Sequence, residues 1–434
     1  MRILYAALLF MMMLMGAPAA LAAPQISVGL VTGQFTAELA SETDFTAQTV
    51  VNGSVRKEFL FKAGSYYFNA ANGSVNADGQ EFGNVVLRIK ADGVNPVKVN
   101  KKTYRGNIEV MLAPDRKNLI VRNVLPVDEY LYSVVGRTVP VYFPDEAIKA
   151  QAVAMRSYAL WLAENNNYYY DVRAGEKDYV YSGIDMEKSD INKLIDSTRG
   201  EVVLYGGRPA MALYTESSGG YTEDSADVYG EVFSKPYLKS VKDYDSDAPD
   251  YKWERSFDAQ NISSGLLRGG YDIGQIESIR LSPEKPGASD RTDTGRVISV
   301  GFAGSKGNIV VPAAVVRELF SLPSTLFEIE VTRPIPKQLD VPIENYYGME
   351  IGRKEIEIEL KDKEKSENGI AGSIKLISGV DGEKVIFKGR GSGSGLGLSL
   401  WGARQLANDE GNTPGYYKNI LRYYYRNTVV TKIY

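Results

Sequence analysis

The segment that most constrains the fold is a helical stretch, Glu146 to Glu164, that is apolar around most of its circumference. It follows Pro144 and begins with acidic residues, as helix N-termini favour. A helix without a polar face is buried on all sides, and its many alanines allow close packing. Gln151 and Arg156 interrupt the apolar surface. Because unpaired buried polar groups are costly, we predict hydrogen-bond partners for both.

Histidine and cysteine are both absent from the 434 residues. Disulfides therefore do not hold the fold. Ser-His-Asp and Cys-His catalysis is excluded, because each needs an imidazole. Nearly all zinc sites are excluded as well, because thiolate and imidazole are the usual ligands. Carboxylates, Lys, Tyr, Ser, Thr and backbone groups remain available for chemistry, and we predict no metal and no cofactor.

The composition indicates an ordinary globular protein with a formal net charge of −4. Without a long basic run, it argues against nucleic-acid binding. Tyrosine is abundant, with 29 residues and a run from Tyr168 to Tyr170. The tyrosines are interpreted either as half-buried surface or as platforms for stacking sugar rings.

The N-terminus has the pattern of a targeting segment. Arg2 precedes an apolar stretch, Ile3 to Met15, and Ala20-Leu21-Ala22 offers a small-x-small cleavage site. We predict a signal peptide at residues 1–22 and export to the cell envelope. The alternative is an uncleaved membrane anchor, because the apolar stretch is about long enough to span a bilayer.

The element pattern predicts an α+β fold, with a helical core packed on antiparallel strands. One helix should start at Pro126 and end at Gly136, and another should be capped by Ser189 and end at Gly200. A loop rich in Ser, Gly and Asp should span 216 to 250, and the last helix should start at Thr413-Pro414. The predicted divisions are a strand-rich part at 26–125, a core at 126–250, an inserted α+β subdomain at 253–330 and a C-terminal part at 331–434.

Four segments in fixed order carry a family resemblance, and they are Asn123 to Leu160, Thr198 to Val202, Ser217 to Asp224 and Gly391 to Ala403. Together they resemble the stage II sporulation protein D and amidase enhancer (LytB) family over roughly 27 to 434. The resemblance implies the family fold and action on peptidoglycan in the cell envelope. Family members cleave glycan strands stripped of stem peptides as lytic transglycosylases, enhance an amidase, or bind wall material.

The family's catalytic acid is a Glu two residues before the Pro of a short loop. The reaction needs a carboxylic acid to protonate the glycosidic oxygen. Here the loop is Val135 to Pro140, and the matching residue is Thr138. A hydroxyl with a pKa far above 7 cannot replace that acid.

At other positions too, this sequence lacks the functional residues of the family. The metal-binding Cys, His and Cys are matched by Arg173, Lys177 and Asp178. The family's two loop histidines are matched by Thr215 and Ser394. The resemblance therefore implies that the family's metal site and catalytic acid are both lost.

Several residues remain candidates. Glu216 and Glu223 are alternatives for a relocated acid, although a solvated loop carboxylate and a structural turn ligand are the plainer interpretations. The Gly-rich loop, Gly391 to Gly397, lacks a phosphate-binding signature. It is interpreted as packing tightly or approaching a glycan. The candidate glycan-binding residues are Lys149, Gln151, Arg156, Ser217, Ser218, Gly219, Gly220, Ser394 and Trp401.

The sequence thus leads to a first hypothesis of a catalytically impaired protein that binds peptidoglycan glycan strands or modulates a wall amidase or other hydrolase. We expect a glycan-sized cleft near Thr138, Ser217 to Gly220 and Ser394. The second hypothesis is an active lytic transglycosylase that uses Glu216 or Glu223. The third is an envelope scaffold without affinity for glycan.

Overall fold

The computed structural model describes residues 22–434 except 92–95, 167, 176–179, 285–286, 334–337, 345 and 358–372. The predicted signal peptide, apart from Ala22, lies outside the described residues. Among the helices that are described, none is long and apolar enough to cross a membrane. The chain forms two compact units: residues up to Tyr214 together with Gly402–Tyr434 form the first, and Thr215–Trp401 the second.

The helices, in chain order, are α1 (Val127–Thr138), α2 (Asp145–Asn165), α3 (Ser189–Ser197), α4 (Ser225–Tyr229), α5 (Ala259–Arg268), α6 (Ala313–Leu319), α7 (Leu400–Asp409) and α8 (Tyr417–Tyr424). Short 3-10 helices occur at Gly183–Met186 and Glu231–Phe233. Together with the strands they confirm the predicted α+β class.

The strands are β1 (Gln25–Gln34), β2 (Thr36–Ser41), β3 (Phe45–Val51), β4 (Ser54–Phe61), β5 (Gly64–Ala71), β6 (Ser74–Ala77), β7 (Gln80–Gly83), β8 (Val86–Ala91), β9 (Val97–Val99), β10 (Lys102–Tyr104), β11 (Asn107–Leu112), β12 (Leu119–Pro126), β13 (Val172–Arg173), β14 (Glu201–Tyr205), β15 (Arg208–Pro209), β16 (Tyr214–Thr215), β17 (Lys252–Phe257), β18 (Ile276–Arg280), β19 (Ser299–Gly304), β20 (Gly307–Pro312), β21 (Phe327–Thr332), β22 (Gln338–Glu344), β23 (Glu350–Glu357), β24 (Ile374–Leu376), β25 (Lys384–Arg390), β26 (Leu398–Ser399) and β27 (Val429–Lys432).

Two large sheets form the N-terminal part of the first unit. One has the order β13-β1-β12-β11-β8-β3-β4 and the other β10-β9-β2-β5-β6-β7. Pairing in them is antiparallel except between β1 and β13. Aromatic rings fill the space between the sheets: Phe61 of β4 lies 5.9 Å from Phe68 of β5, centroid to centroid. Alternating apolar residues thus give each sheet one buried face, as the pattern predicts.

The helix α2 is buried along most of its length, which confirms the central sequence prediction. Arg156, in its middle, is fully buried and donates from Nε to Asp128 Oδ1 of α1 at 2.8 Å. Its other nitrogens donate to the carbonyls of Ile195 and Glu201. One guanidinium therefore links α1, α2, α3 and β14.

The prediction of partners for both polar residues of α2 is wrong for Gln151. Its side chain is fully buried, and neither amide atom has a hydrogen-bond partner among the described residues. The residues one turn away on the same helix face are Ala147, Ile148, Ala154 and Met155, whose side chains offer no strong donor or acceptor.

Several predicted boundaries are also corrected. α1 continues through Gly136 to Thr138, so Val135 to Thr138 are helical and not a loop. Gly136 does not end the helix but allows close packing, because a Cβ there would lie 2.3 Å from Met186 O. Ser189 is the first residue of α3, which follows Lys188 and ends at Ser197 rather than Gly200.

The remaining corrections concern the segments 210–215, 216–250 and the last helix. Only Tyr214–Thr215 is strand within the predicted strand Ala210 to Thr215. The predicted loop at 216–250 contains α4. The last helix begins at Tyr417 because Thr413 to Tyr416 form a turn, in which the Tyr416 N–H donates to Thr413 O.

The second unit is built around the sheets β17-β25-β21 and β20-β19-β18-β24, with α5 and α6 packed against them. The strands near 276–281 and 297–302 and the helix near 312–320 are confirmed as β18, β19 and α6. Phe302, Phe320 and Phe387 belong to one buried apolar cluster that joins these elements.

We predict that Asp128→Asn lowers the free energy of unfolding by about 3–5 kcal/mol, because it removes the partner of a buried guanidinium. Urea unfolding followed by circular dichroism measures the change. The control is Asp190→Asn, because Asp190 pairs with Lys193 at the surface and both side chains are largely exposed. The control should leave the transition where it is. Equal transitions for the two variants would contradict the role given to Arg156.

Candidate functional site

Thr138, which the sequence resemblance matches to the family's acid, lies at the end of α1. Its Oγ1 donates to Val134 O at 2.7 Å, one turn earlier in the same helix. Threonine in a helix commonly forms this bond. No carboxylate is hydrogen-bonded to Thr138 within the described parts of the chain, so its hydroxyl serves the last turn of its own helix.

A lysine distant in sequence stabilises the same helix end. Lys188 Nζ donates to Val139 O at 3.3 Å, just beyond the last residue of α1. A positive charge is favourable there, because helix C-termini carry partial negative charge. The end of α1 is therefore held by a hydroxyl and an ammonium, neither of which is a proton donor suited to a glycosidic oxygen.

The candidate polar residues of α2 are engaged within the first unit. Lys149 Nζ donates to Glu146 Oε1 at 2.8 Å, and Glu146 Oε2 accepts from the Tyr417 N–H at the start of α8. Glu146 is buried, so Lys149 neutralises a charge that fastens α8 to α2. Together with the Arg156 network, these contacts favour structural roles for Lys149 and Arg156.

The stretch that matches the family's metal site has other partners here. Asp171 Oδ2 accepts from both the N–H and the hydroxyl of Ser27. Arg173 lies in β13, while Lys177 and Asp178 lie outside the described residues. Tyr181 donates to Asn123 Oδ1 at 2.6 Å, and burial raises the pKa of its hydroxyl. Asp171 and Tyr181 therefore tie this stretch to the sheet.

In the second unit, the Ser-Ser-Gly-Gly motif is anchored by two aspartates that the sequence analysis missed. Ser217 Oγ donates to Asp245 Oδ2 at 2.5 Å, and Ser218 Oγ donates to Asp243 Oδ2 at 2.6 Å. The Gly219 N–H also donates to Asp245 Oδ2. Both serines are fully buried. Their hydroxyl protons are therefore used inside the unit, and no motif marks Asp243 or Asp245 in advance.

The Gly-rich loop packs directly against this motif. Ser217 and Ser392 exchange backbone hydrogen bonds of 2.8 and 3.0 Å, and Thr215 Oγ1 donates to Ser392 O. A Cβ on Gly393 would lie 2.3 Å from Thr215 Oγ1, and the residue has φ +102°. The glycine is needed for close approach of two backbones, which supports the tight-packing interpretation.

Glu223 is buried against Arg296, a residue that sequence analysis also missed. Arg296 Nε lies 3.1 Å from Glu223 Oε1, and Thr294 donates a short hydrogen bond to the same oxygen. Burial raises the pKa of Glu223, against the lowering effect of Arg296. Arg296 also donates to Ser218 O and Gly393 O. It thus joins the Ser-Ser-Gly-Gly motif to the Gly-rich loop.

Glu216 differs from Glu223 in its exposure. Its carboxylate is exposed and accepts from Ser392 Oγ at 2.8 Å. Ser394 Oγ accepts from the Leu396 N–H, and the backbone N–H of the buried Trp401 donates to the backbone carbonyl of Glu216. Of the two carboxylates considered as relocated acids, only Glu216 is in contact with solvent.

The candidates fall into two groups. Thr138, Lys149, Gln151 and Arg156 belong to the first unit, whereas Glu216 to Gly220, Glu223, Ser394 and Trp401 belong to the second. Each group is brought together within its own unit. The predicted cleft combines residues of both units and stays a prediction. Among the described residues, no group of three or more Asp and Glu side chains is placed to hold a metal ion.

Comparison with known proteins gives an independent indication of family. An uncharacterized protein of Brachyspira hyodysenteriae is 25% identical over 332 residues, covering 75% of this chain and 72% of that protein. The amidase enhancer of Bacillus subtilis is 24% identical over 411 residues, covering 91% of this chain and 54% of the enhancer. Stage II sporulation protein D of Bacillus subtilis is 30% identical over 179 residues, covering 37% of this chain and 51% of that protein.

The chain thus spans about half the length of the two named relatives. Residues 115–205, from the turn before β12 to the end of β14, match the model of the family described as Stage II sporulation protein. This range contains α1, α2, α3 and the buried Arg156 network. Within this range, the chain is therefore similar to the stage II sporulation protein family.

Proposed function

We propose that this chain is an exported protein of the cell envelope that binds peptidoglycan glycan strands or modulates a wall hydrolase, without cleaving the glycan. The observation that carries the proposal is Thr138, whose hydroxyl stands at the position of the family's acid and donates to its own helix. The similarity to a protein named amidase enhancer supports a hydrolase as partner.

The loss of catalysis follows from proton chemistry. A lytic transglycosylase needs a group that gives a proton to the leaving oxygen and takes one from the attacking sugar hydroxyl. A carboxylic acid can do both near neutral pH, whereas a threonine hydroxyl holds its proton. The positions around Thr138 supply Lys188 and a helix C-terminus, neither of which replaces the carboxyl group.

Binding is supported by an aromatic ring close to the same position in the chain. Tyr142 is 68% exposed, four residues after Thr138, and its ring lies 5.4 Å from that of the buried Phe143. An exposed ring held against a buried one offers a fixed apolar face to the C–H face of a pyranose. We assign Tyr142 as a stacking residue for glycan.

The second candidate function is an active lytic transglycosylase with a relocated acid. The observation in its favour is the exposed carboxylate of Glu216, hydrogen-bonded to Ser392 of the Gly-rich loop. Glu223 is the weaker alternative, because it is almost completely buried and paired with Arg296.

The first prediction concerns turnover. The full chain should co-sediment with purified peptidoglycan and should release no anhydro-ended products from peptide-free glycan strands, as measured by mass spectrometry. Clear turnover by both the wild type and Thr138→Ala would overturn the non-catalytic proposal. Failure to co-sediment would favour the scaffold without glycan affinity.

The stacking role predicts that Tyr142→Ala weakens binding to peptide-free glycan strands by about threefold to tenfold. A matched control is Tyr67→Ala, because Tyr67 is similarly exposed, at 64%, but lies in β5 of the N-terminal sheets. Binding is measured by co-sedimentation over a range of protein concentrations. An equal effect of the two changes would remove the assignment of Tyr142.

If cleavage is found, Glu216→Gln should abolish it and leave the unfolding transition unchanged, because the side chain is exposed. Glu223→Gln should instead destabilise the protein by about 3–5 kcal/mol, because it leaves the buried Arg296 without a counter-charge. Product analysis and urea unfolding of both variants separate the two roles. A stable, inactive Glu223→Gln variant would identify Glu223 as the acid instead.

A further inference from the structure

A groove of about 540 Å³ opens on the sheet β17-β25-β21 of the second unit. Its volume lies within the range of small-ligand pockets. The lining contains three cations, Lys252, Lys388 and Arg390, together with four glutamates. We call it the charged groove. The lining also contains Trp253, Leu326 and Phe327, so the charges are set around an apolar floor.

Most of these charges are neutralised inside the protein. Lys388 Nζ lies 2.6 Å from Glu330 Oε2, and Arg390 Nη2 lies 2.6 Å from Glu284 Oε1. A further lining residue, Glu328, pairs with the buried Arg291 at 2.9 Å. These pairs fix the walls of the charged groove.

Two lining residues of opposite charge are left over. The side chains of Lys252 and Glu254 are exposed, and neither forms a hydrogen bond or ion pair with any residue that the structure describes. They are two positions apart on β17, so they project from the same face at a spacing of about 7 Å. Lys252 therefore presents a free ammonium. Beside it, Glu254 lies opposite Lys388, which already pairs with Glu330 and whose pKa is raised by Glu330 and also by Glu254.

The strand register makes the position of Lys252 unusual. It lies directly opposite Arg390 on β25, and like charges at opposite positions destabilise a sheet. Glu284 neutralises Arg390 alone. An anionic group from a ligand, placed between the two cations, would remove the remaining repulsion.

We propose that the charged groove binds the stem peptide of peptidoglycan. Such a peptide carries carboxylates and, where it is not cross-linked, a free amino group. Lys252 receives a carboxylate, and Glu254 receives the amino group. The inference rests on the proposed action at peptidoglycan, and it adds that this protein recognises strands that still carry peptides.

The test uses isothermal titration of the full chain with a synthetic stem tetrapeptide that has a free amine on its third residue. Lys252→Gln and Glu254→Gln should each weaken binding by about twofold to fivefold, as expected for exposed ion pairs. Matched controls are Arg255→Gln, which changes the neighbouring residue of β17 outside the lining, and Glu277→Gln on β18. Both controls should bind as the wild type does.

Acetylation of the peptide amine provides a second, ligand-side test. The wild type should bind the acetylated peptide as weakly as Glu254→Gln binds the free one, and Glu254→Gln should not distinguish the two peptides. Unchanged affinity in both variants, or equal binding of both peptides by the wild type, would overturn the inference. Binding to peptide-free glycan strands without binding to the peptide would also overturn it, but would leave the proposed function intact. Failure to bind either material would overturn both.

Discussion

The ion pair between Arg156 and Asp128 is the interaction on which the family domain depends. Both side chains are buried, so each charge is tolerable only while the other is present. The guanidinium also satisfies carbonyls at the end of α3 and the start of β14, and Tyr434 donates to the second oxygen of Asp128. Elements far apart in the chain thus meet at one buried charge, which holds the first turn of α1 against α2, α3 and β14.

Local patterns in the sequence predict some of this architecture. The apolar surface of α2 predicts its burial, and the alternating strands predict the N-terminal sheets. The partners of Arg156 are not predictable in this way. Asp128, Thr198 and Glu201 lie in segments that carry the family resemblance, but no local pattern shows that these residues meet Arg156. Helix α5 is missed because Gly265 weakens its pattern, yet a Cβ there would lie 2.5 Å from the Phe320 ring. The sequence pattern predicts that Gly136 ends α1, but this residue lies inside the helix. Both glycines are required because a neighbouring element packs too closely for a Cβ, which the sequence does not show.

The candidate site follows a similar division. The family motifs locate Thr138, the Ser-Ser-Gly-Gly segment and the Gly-rich loop, but the groups that hold these segments come from elsewhere. Asp243 and Asp245 take the serine protons, and Arg296 of the inserted region joins the two loops. Residue type alone suggests that the serines contact glycan, whereas their burial indicates that they shape the loop. The two proposals accordingly rest on exposed groups, Tyr142 for glycan and Lys252 with Glu254 for peptide.

The first unit is built from two separate parts of the chain, and this affects the order in which it can assemble. The strand β27 pairs with β14, and Tyr434 donates to Asp128. The residues that complete this unit are therefore synthesised after the whole of the second unit. The second unit is continuous in sequence and is available in full before them. During synthesis, the first unit must remain incomplete until the second unit has been made, so assembly proceeds from the inserted unit to the unit that contains it.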